Sequence, residues 1–123
     1  MNTYIEINDT RYPAIITGRL ADSDWGNRAS KAITIELSYA EALELFVDNT
    51  VWFIIQEDER QEAVEDEEGN ISYETITTVD RYDNSDYNLA GDIIDHRNGT
   101  ITIKMGKPTA EELLALFEEG LLL

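Results

Sequence analysis

The sequence predicts an α+β fold, a mainly antiparallel sheet or small partly open barrel whose one face is covered by two short helices. Apolar residues alternate with polar ones along most of the chain, which is typical of half-buried strands. In two short segments the spacing changes to three or four residues, which indicates helix. With 123 residues, 42% of them hydrophobic, there is material for one core, so we predict a single domain over residues 1–123.

The first third of the chain predicts three strands. Residues 4–7 alternate, residues 8–11 have turn chemistry, and residues 12–20 return as a second strand. Pro13 has no N–H to donate, so we expect it at an edge or a bulge. The third strand, residues 31–37, follows a polar loop and places three apolar side chains on one face.

A first helix follows this strand. Ser38 and Glu41 have the spacing of a capping box, in which each residue satisfies a free backbone N–H of the other. The apolar stripe behind the box consists of Tyr39, Ala42, Leu43 and Phe46. Residues 51–55 are all apolar and predict a central strand.

Residues 57–70 (EDERQEAVEDEEGN) form an acidic segment of eight acids and one base. Like charges crowded this closely resist compaction, so we predict an exposed hairpin tip or a mobile loop with Gly69 at the turn. The β-branched residues that follow, 71–79, predict the returning strand, and residues 80–86 predict another loop.

The last third predicts a hairpin and a helix. Asn98 and Gly99 separate two strand-like segments and favour a type I′ turn. Thr109 and Glu112 form a second capping box, and Gly120 is placed to end its helix. We expect this helix to bury a stripe that consists of Ala110, Leu113, Leu114 and Phe117. The remaining apolar tail, Leu121, Leu122 and Leu123, is expected to dock on the domain or to contact another subunit.

The charge of the chain restricts its partners. Twenty-six acids against nine bases give a net charge of −17, which disfavours direct binding to nucleic acid and to anionic membranes. One interpretation is solubility and resistance to self-association. The other is a basic partner, such as a nucleic-acid-binding protein whose groove an acidic surface occupies.

Several further functions are disfavoured. The chain has no cysteine, so disulfides, thiolate catalysis and cysteine-based zinc sites are excluded. No secretory signal begins the sequence, and no apolar run is long enough for a membrane span. These absences are compatible with the cytosol.

No catalytic or metal-binding pattern stands out. His96 is the lone histidine, and we interpret it, with Asp92 and Asp95 nearby, as a turn residue. A cluster of Asp80, Asp83, Asn84 and Asp86 lacks the spacing and the glycine of a calcium loop, so turn capping explains it better. The sequence also lacks a phosphate-binding glycine loop and hydrolase motifs. We expect no enzyme activity and no cofactor.

Two groups of residues are candidates for contact with another protein. Trp25 lies in a polar loop, where it either covers the core or forms an interface anchor with Arg28. The candidate interface consists of Trp25, Arg28, Tyr82, Tyr87, Leu121, Leu122 and Leu123. The candidate electrostatic contact consists of Glu65, Asp66, Glu67 and Glu68.

A resemblance to known proteins lies in residues 7–20, 24–28 (DWGNR), 30–34, 82–86 (YDNSD), 90–92 and 105–109 (MGKPT). In these segments the chain resembles a family of small acidic proteins that are encoded by prophages of gut Gram-positive bacteria. The resemblance implies a phage-encoded accessory protein, either a minor virion or tail-module component or a factor that acts against host defence, located in the bacterial cytoplasm or in a virion. It identifies no functional residues.

Three functions remain open. The first is a non-enzymatic phage protein that works through protein contacts, including self-association. The second is an acidic inhibitor of a host nucleic-acid-binding or defence protein. The third is a small-ligand-sequestering protein, which would need a pocket lined by Arg28, Arg97 or Lys104.

Overall fold

A computed structural model describes residues 1–118. Gly120 and the predicted apolar tail, Leu121, Leu122 and Leu123, therefore lie outside the described residues. The elements are β1 (Asn2–Ile7), β2 (Thr10–Asp22), a 3-10 turn (Ser23–Trp25), β3 (Arg28–Ile35), α1 (Tyr39–Leu45), β4 (Phe53–Glu65), β5 (Ile71–Asp83), β6 (Leu89–Asp95), β7 (Ile101–Gly106) and α2 (Ala110–Glu118).

The described strands form one open sheet. Its seven strands follow the order β5-β4-β1-β2-β3-β7-β6, and every neighbouring pair is antiparallel. The predicted α+β class with a mainly antiparallel sheet is confirmed, and the sheet does not close into a barrel. Strands β5 and β6 are the two edges.

The core lies where α1 packs against the sheet. Register places Ile33 opposite Ile103 and Ile35 opposite Ile101, so the alternation predicted for the third strand contributes one buried face. Ala42 and Phe46 of the first helical stripe are buried, whereas Tyr39 and Leu43 are exposed. The remaining core residues are Ile5, Ile7, Trp52, Ile54, Ile55 and Met105.

The turn chemistry differs from the prediction at two hairpins. Asn8 (φ 52°) and Asp9 (φ 63°) form the two-residue link between β1 and β2, so the primed turn lies here. The type I′ turn predicted at Asn98 and Gly99 is wrong, although the hairpin itself is present. Its positive φ angles fall at Arg97 and Gly99, and side-chain acceptors on Asp95 and Asn98 hold a wider loop.

Pro13 lies near the start of β2, where one side of the strand is locally an edge. It pairs with Tyr4 of β1, but the ladder to β3 begins one residue later, at Ala14. The side on which Pro13 lacks an N–H therefore has no neighbouring strand to bond.

The predicted buried stripe of α2 is also wrong. Both capping boxes are present, with Glu41 N–H donating to Ser38 Oγ (3.1 Å) and Glu112 N–H donating to Thr109 Oγ1 (3.2 Å). However, no residue of α2 is buried, and Leu114 (57%) and Phe117 (63%) are largely exposed. The helix is held at its first turn by an ion pair between Arg28 and Glu112, which leaves its apolar stripe unused.

Candidate functional site

The most prominent surface feature is a two-stranded arm. Strands β4 and β5 pair without a register shift from Phe53↔Asp83 to Glu65↔Ile71, but β1 pairs with β4 only as far as Glu57. We call residues 58–78 the arm. Each of its strands extends about 25 Å beyond the sheet at roughly 3.3 Å per residue.

The arm shortens two segments that the sequence predicts as irregular, the hairpin tip or loop over 57–70 and the loop over 80–86. Residues 57–65 are strand rather than loop, so only 66–70 form the predicted hairpin tip. The predicted loop over 80–86 is shortened as well, because β5 continues to Asp83. The β-branched residues of β5 supply regular partners that the charge pattern of β4 does not reveal.

The tip is shaped by Asp66. Its Oδ1 accepts hydrogen bonds from the N–H groups of Glu68 (2.9 Å) and Asn70 (2.8 Å). The backbone N–H of Asn70, the largest influence, and that of Glu68 lower the pKa of the Asp66 carboxyl. Gly69 takes a positive φ of 82°, as its predicted turn position requires.

The negative charge of the arm is mostly uncompensated. Arg60 pairs with Glu62 (2.8 Å), and Asp58 lies 3.8 Å from the N-terminal ammonium. Within residues 1–118, no ion pair reaches the predicted electrostatic contact, Glu65, Asp66, Glu67 and Glu68.

Positive charge is largely neutralised elsewhere on the molecule. Within the described part of the chain, the other ion pairs that involve lysine or arginine are Arg11–Glu6, Arg81–Glu6, Arg19–Asp22, Arg19–Asp24, Arg28–Glu112, Lys104–Asp22 and Lys107–Asp86. The net charge of −17 is thus unevenly distributed, and carboxylates without an ion-pair partner among the described residues are concentrated at the end of the arm.

Trp25 is seated on the sheet. A Cβ atom added to Gly91 or Gly106 would lie 2.8 Å or 2.7 Å from carbons of the indole, so both glycines permit its close approach. Arg28 stacks 5.0 Å from the indole centroid, and its Nε donates to the Trp25 carbonyl oxygen (3.1 Å). The interpretation of Trp25 as a cover over the sheet therefore fits its geometry.

The two tyrosines of the candidate interface lie in different surroundings. Tyr87 is half-buried, with the ammonium groups of Lys31 (4.6 Å) and Lys107 (4.8 Å) near its ring centroid. Arg28 donates to the carbonyl oxygen of Lys107 (3.1 Å), which links Trp25, Arg28 and Tyr87 into one network. Tyr82 lies instead on β5 opposite Ile54, with 49% of its surface exposed.

The lysines of this network differ in electrostatic environment. Burial lowers the pKa of Lys31, whose ammonium donates to the Asn84 side-chain oxygen. A hydrogen bond to Asp86 raises the pKa of Lys107. The two contacts hold the loop after β5 against β3 and against the residue that follows β7. The role of both lysines is therefore structural.

Sequence reasoning missed a buried charged cluster around Asp22. This carboxylate is completely buried and accepts hydrogen bonds from Lys104 Nζ (2.9 Å) and Ser30 Oγ (2.8 Å). Lys104, followed by Ser30, lowers the pKa of Asp22 to about 2. The cluster joins β2, β3 and β7. In the sequence Asp22 is one polar residue at the end of a strand, and nothing in that pattern indicates that it is buried.

An apolar groove was also missed. It lies on the sheet with a volume of about 640 Å³ and is lined by Tyr4, Pro13, Ile15, Thr34 and Glu36 among others. These residues alternate with core residues in sequence, so they lie on the opposite face of the sheet. Only the register of the strands shows that they lie next to one another.

The other sequence candidates are separate. His96 hydrogen bonds through Nε2 to Thr102 Oγ1 (2.7 Å), and Asp83 caps the N–H of Ser85 (2.8 Å) as turn chemistry predicts. Arg28 and Lys104 are each held by a carboxylate, whereas Arg97 lies in the β6–β7 loop. Residues 1–118 contain no group of three or more His, Cys, Asp or Glu side chains arranged to hold a metal ion.

Comparisons with known proteins found no similarity: no family model, no curated protein and no solved structure matches this chain. In the part of the chain that the structure describes, no helix has the length and apolar character needed to cross a membrane.

Proposed function

We propose that this chain is a non-enzymatic protein-binding protein whose acidic arm engages a basic surface on another protein. The observation that carries the proposal is the placement of unpaired carboxylates at the end of a regular β-ribbon, beyond the rest of the sheet. Such a field steers a basic partner toward the arm and disfavours acidic ones.

The kind of partner follows from the charge. A protein that binds nucleic acid presents lysines and arginines to a row of phosphates, and the carboxylates of the arm offer a similar row of negative charge. We therefore propose a phage-encoded inhibitor of a host nucleic-acid-binding or defence protein, acting in the bacterial cytoplasm. This function is favoured over a virion role that works through the candidate interface, because the Trp25 side chain of that interface packs against its own sheet.

A second candidate function has one observation in its favour. Leu113, Leu114 and Phe117 expose an apolar stripe on α2, which suits self-association in a minor virion or tail component. Apolar contacts of that kind depend little on ionic strength, so salt separates the two functions.

The test is a pull-down from phage-induced host lysate, washed at low and at high salt and analysed by mass spectrometry. The informative variant carries Glu65→Gln, Glu67→Gln and Glu68→Gln, and it leaves Asp66 in place to hold the turn. The matched control carries Glu44→Gln, Glu111→Gln and Glu118→Gln, which removes equal charge from the two helices.

We expect a basic nucleic-acid-binding protein that is lost at high salt and from the arm variant but retained by the control. Equal loss from both variants would show that net charge alone, not the arm, is responsible. Recovery of virion proteins that survive high salt would support the second candidate instead.

A further inference from the structure

Among residues 1–118, no strand pairs with the outer edge of β5. It is an edge of the sheet along all thirteen residues, Ile71–Asp83. Natural edges are blunted by short length, proline, lysine, bulges or a covering segment. Strand β5 contains neither proline nor lysine, its ladder has no bulge, and Glu74 is the one charged residue within 71–79.

The opposite edge, β6, is protected in several of these ways. It is seven residues long and carries a register shift between Ala90 and Ile93. The segment after α1 also covers its start, because Ala90 N–H donates to Asp48 Oδ1 (2.9 Å) and Asn49 N–H donates to the Asn88 carbonyl oxygen (2.8 Å). The same fold therefore blunts one edge and leaves the other open.

The ladder shows which backbone groups of β5 point outward. Asp66 N–H donates to the Asn70 carbonyl oxygen and Asn84 N–H to that of Trp52, both at 2.9 Å, at the two ends of the β4–β5 ladder. Hydrogen-bonded and non-bonded pairs alternate in an antiparallel ladder, so the even-numbered residues of β5 bond to β4. The N–H and C=O groups that face away from β4 belong to Ile71, Tyr73, Thr75, Thr77 and Val79.

The side chains of β4 beside this edge carry negative charge. Ile71, Thr77 and Val79 stand opposite Glu65, Glu59 and Glu57 of β4, so these carboxylates share a face with the odd-numbered side chains. An added strand would lie about 4.8 Å beyond β5 and about 9.6 Å from β4. Thr75 and Thr77 are short, so a lysine or arginine side chain of that strand can cross them to reach Glu59.

We propose that the β5 edge accepts an extended segment of a partner protein with lysine or arginine at alternate positions, as an added strand of the sheet. The inference rests on the proposed function, since it specifies how the arm binds its basic partner. Backbone hydrogen bonds supply affinity in this mode, and the carboxylates of β4 select the charge of the guest. A second copy of the chain is disfavoured at this edge because it brings its own −17 charge.

The test uses a synthetic peptide of about nine residues in which lysine alternates with threonine, long enough to form one strand. The control peptide has the same sequence with N-methyl groups on alternate backbone nitrogens, which keeps the charge and removes the pairing. Binding to the full chain is measured by calorimetry and by amide chemical-shift changes. We expect the shifts to concentrate on residues 71–79 and the control peptide to bind at least about tenfold more weakly.

The informative protein variant is Thr77→Pro, which removes an outward N–H without taking a bond from the β4–β5 ladder. Its control, Thr77→Val, keeps that N–H, and thermal melting of both establishes that they are folded. We expect Thr77→Pro to lower the affinity for the peptide at least about tenfold and Thr77→Val to leave it unchanged.

The outcomes separate the inference from the proposed function. Peptide binding that survives Thr77→Pro and backbone methylation but is lost in the Glu65→Gln, Glu67→Gln, Glu68→Gln variant overturns strand addition and leaves the acidic contact standing. Binding that ignores all of these changes contradicts both. Concentration-dependent dimers that Thr77→Pro abolishes would assign the edge to a second copy and overturn the inference.

Discussion

At the scale of single residues, the two glycines beneath Trp25 decide how the candidate interface is used. Gly91 and Gly106 have no side chain, and the indole fills the space that a Cβ would take. The guanidinium of Arg28 then covers the ring and pairs with Glu112 (2.6 Å). Trp25 therefore contributes to the fold, although its polar sequence neighbours are equally typical of an exposed anchor.

This packing predicts that Gly106→Ala destabilises the protein. The added methyl group would lie 2.7 Å from the Trp25 ring and 2.8 Å from Arg28 Cδ, so the ring must move. We expect a loss of about 1–3 kcal/mol in the free energy of unfolding, measured by urea denaturation.

The matched control is Gly18→Ala, also within a strand, where the nearest atoms would lie at 3.9 Å or more. We expect it to be neutral or slightly stabilising, since alanine restricts the unfolded chain. Equal destabilisation by both substitutions would contradict the proposed role of Trp25.

At the scale of elements, sequence reasoning succeeded where the signal is local. The alternation of Ile33 and Ile35 and the two capping boxes depend on neighbouring residues, and each is confirmed. It failed where a distant partner decides the outcome. The charge of residues 57–70 predicts a hairpin tip or a mobile loop, but pairing with β5 continues the strand to Glu65. The prediction that α2 buries its apolar stripe failed for the same reason, because an amphipathic pattern does not specify which element a helix packs against.

The two capping boxes are expected to respond differently to removal of the cap. Ser38→Ala should lower the free energy of unfolding by about 1 kcal/mol, because α1 buries Ala42 and Phe46 and cannot unwind without disturbing the core. Thr109→Ala should fray α2 with little effect on global unfolding, because no residue of α2 is buried.

Urea denaturation measures the global effect, and amide hydrogen exchange of residues 113–118 measures the local one. Faster exchange in α2 together with an unchanged denaturation midpoint is the result expected for Thr109→Ala. A midpoint shift as large as that of Ser38→Ala would mean that α2 belongs to the cooperative core.

At the scale of the whole molecule, the arm is structurally separate from the core. The buried apolar residues of β4 end at Ile55, whereas the arm begins at residue 58. Its regularity therefore owes more to the ladder between its two strands than to the sheet below. A separable extension with unpaired charge suits a recognition role, since changes there leave the core packing intact.

Removal of most of the arm tests this separation. We expect a variant with an Asn-Gly turn in place of residues 59–77, joining the hydrogen-bonded pair Asp58 and Thr78, to keep the midpoint of thermal unfolding or to raise it. Loss of like-charge repulsion favours the folded state, while no core contact is lost.

Calorimetry measures the midpoint, and the pull-down described above measures binding. Loss of the basic partner with retention of the fold is the expected result. A variant that fails to fold would show instead that the arm supports the sheet.

The position of β1 also has a consequence for how the chain folds. This strand precedes its two neighbours in the chain, yet it pairs with β2 through a two-residue turn and with β4 through a long-range match of Asn2 with Glu57. We expect the β1–β2 hairpin to form early during synthesis, because the other edge of β1 can pair only after β4 has left the ribosome. Until then the nascent chain exposes the edge of β1 that β4 covers in the complete sheet. We therefore expect the chain to depend most on a chaperone before β1 and β4 have paired.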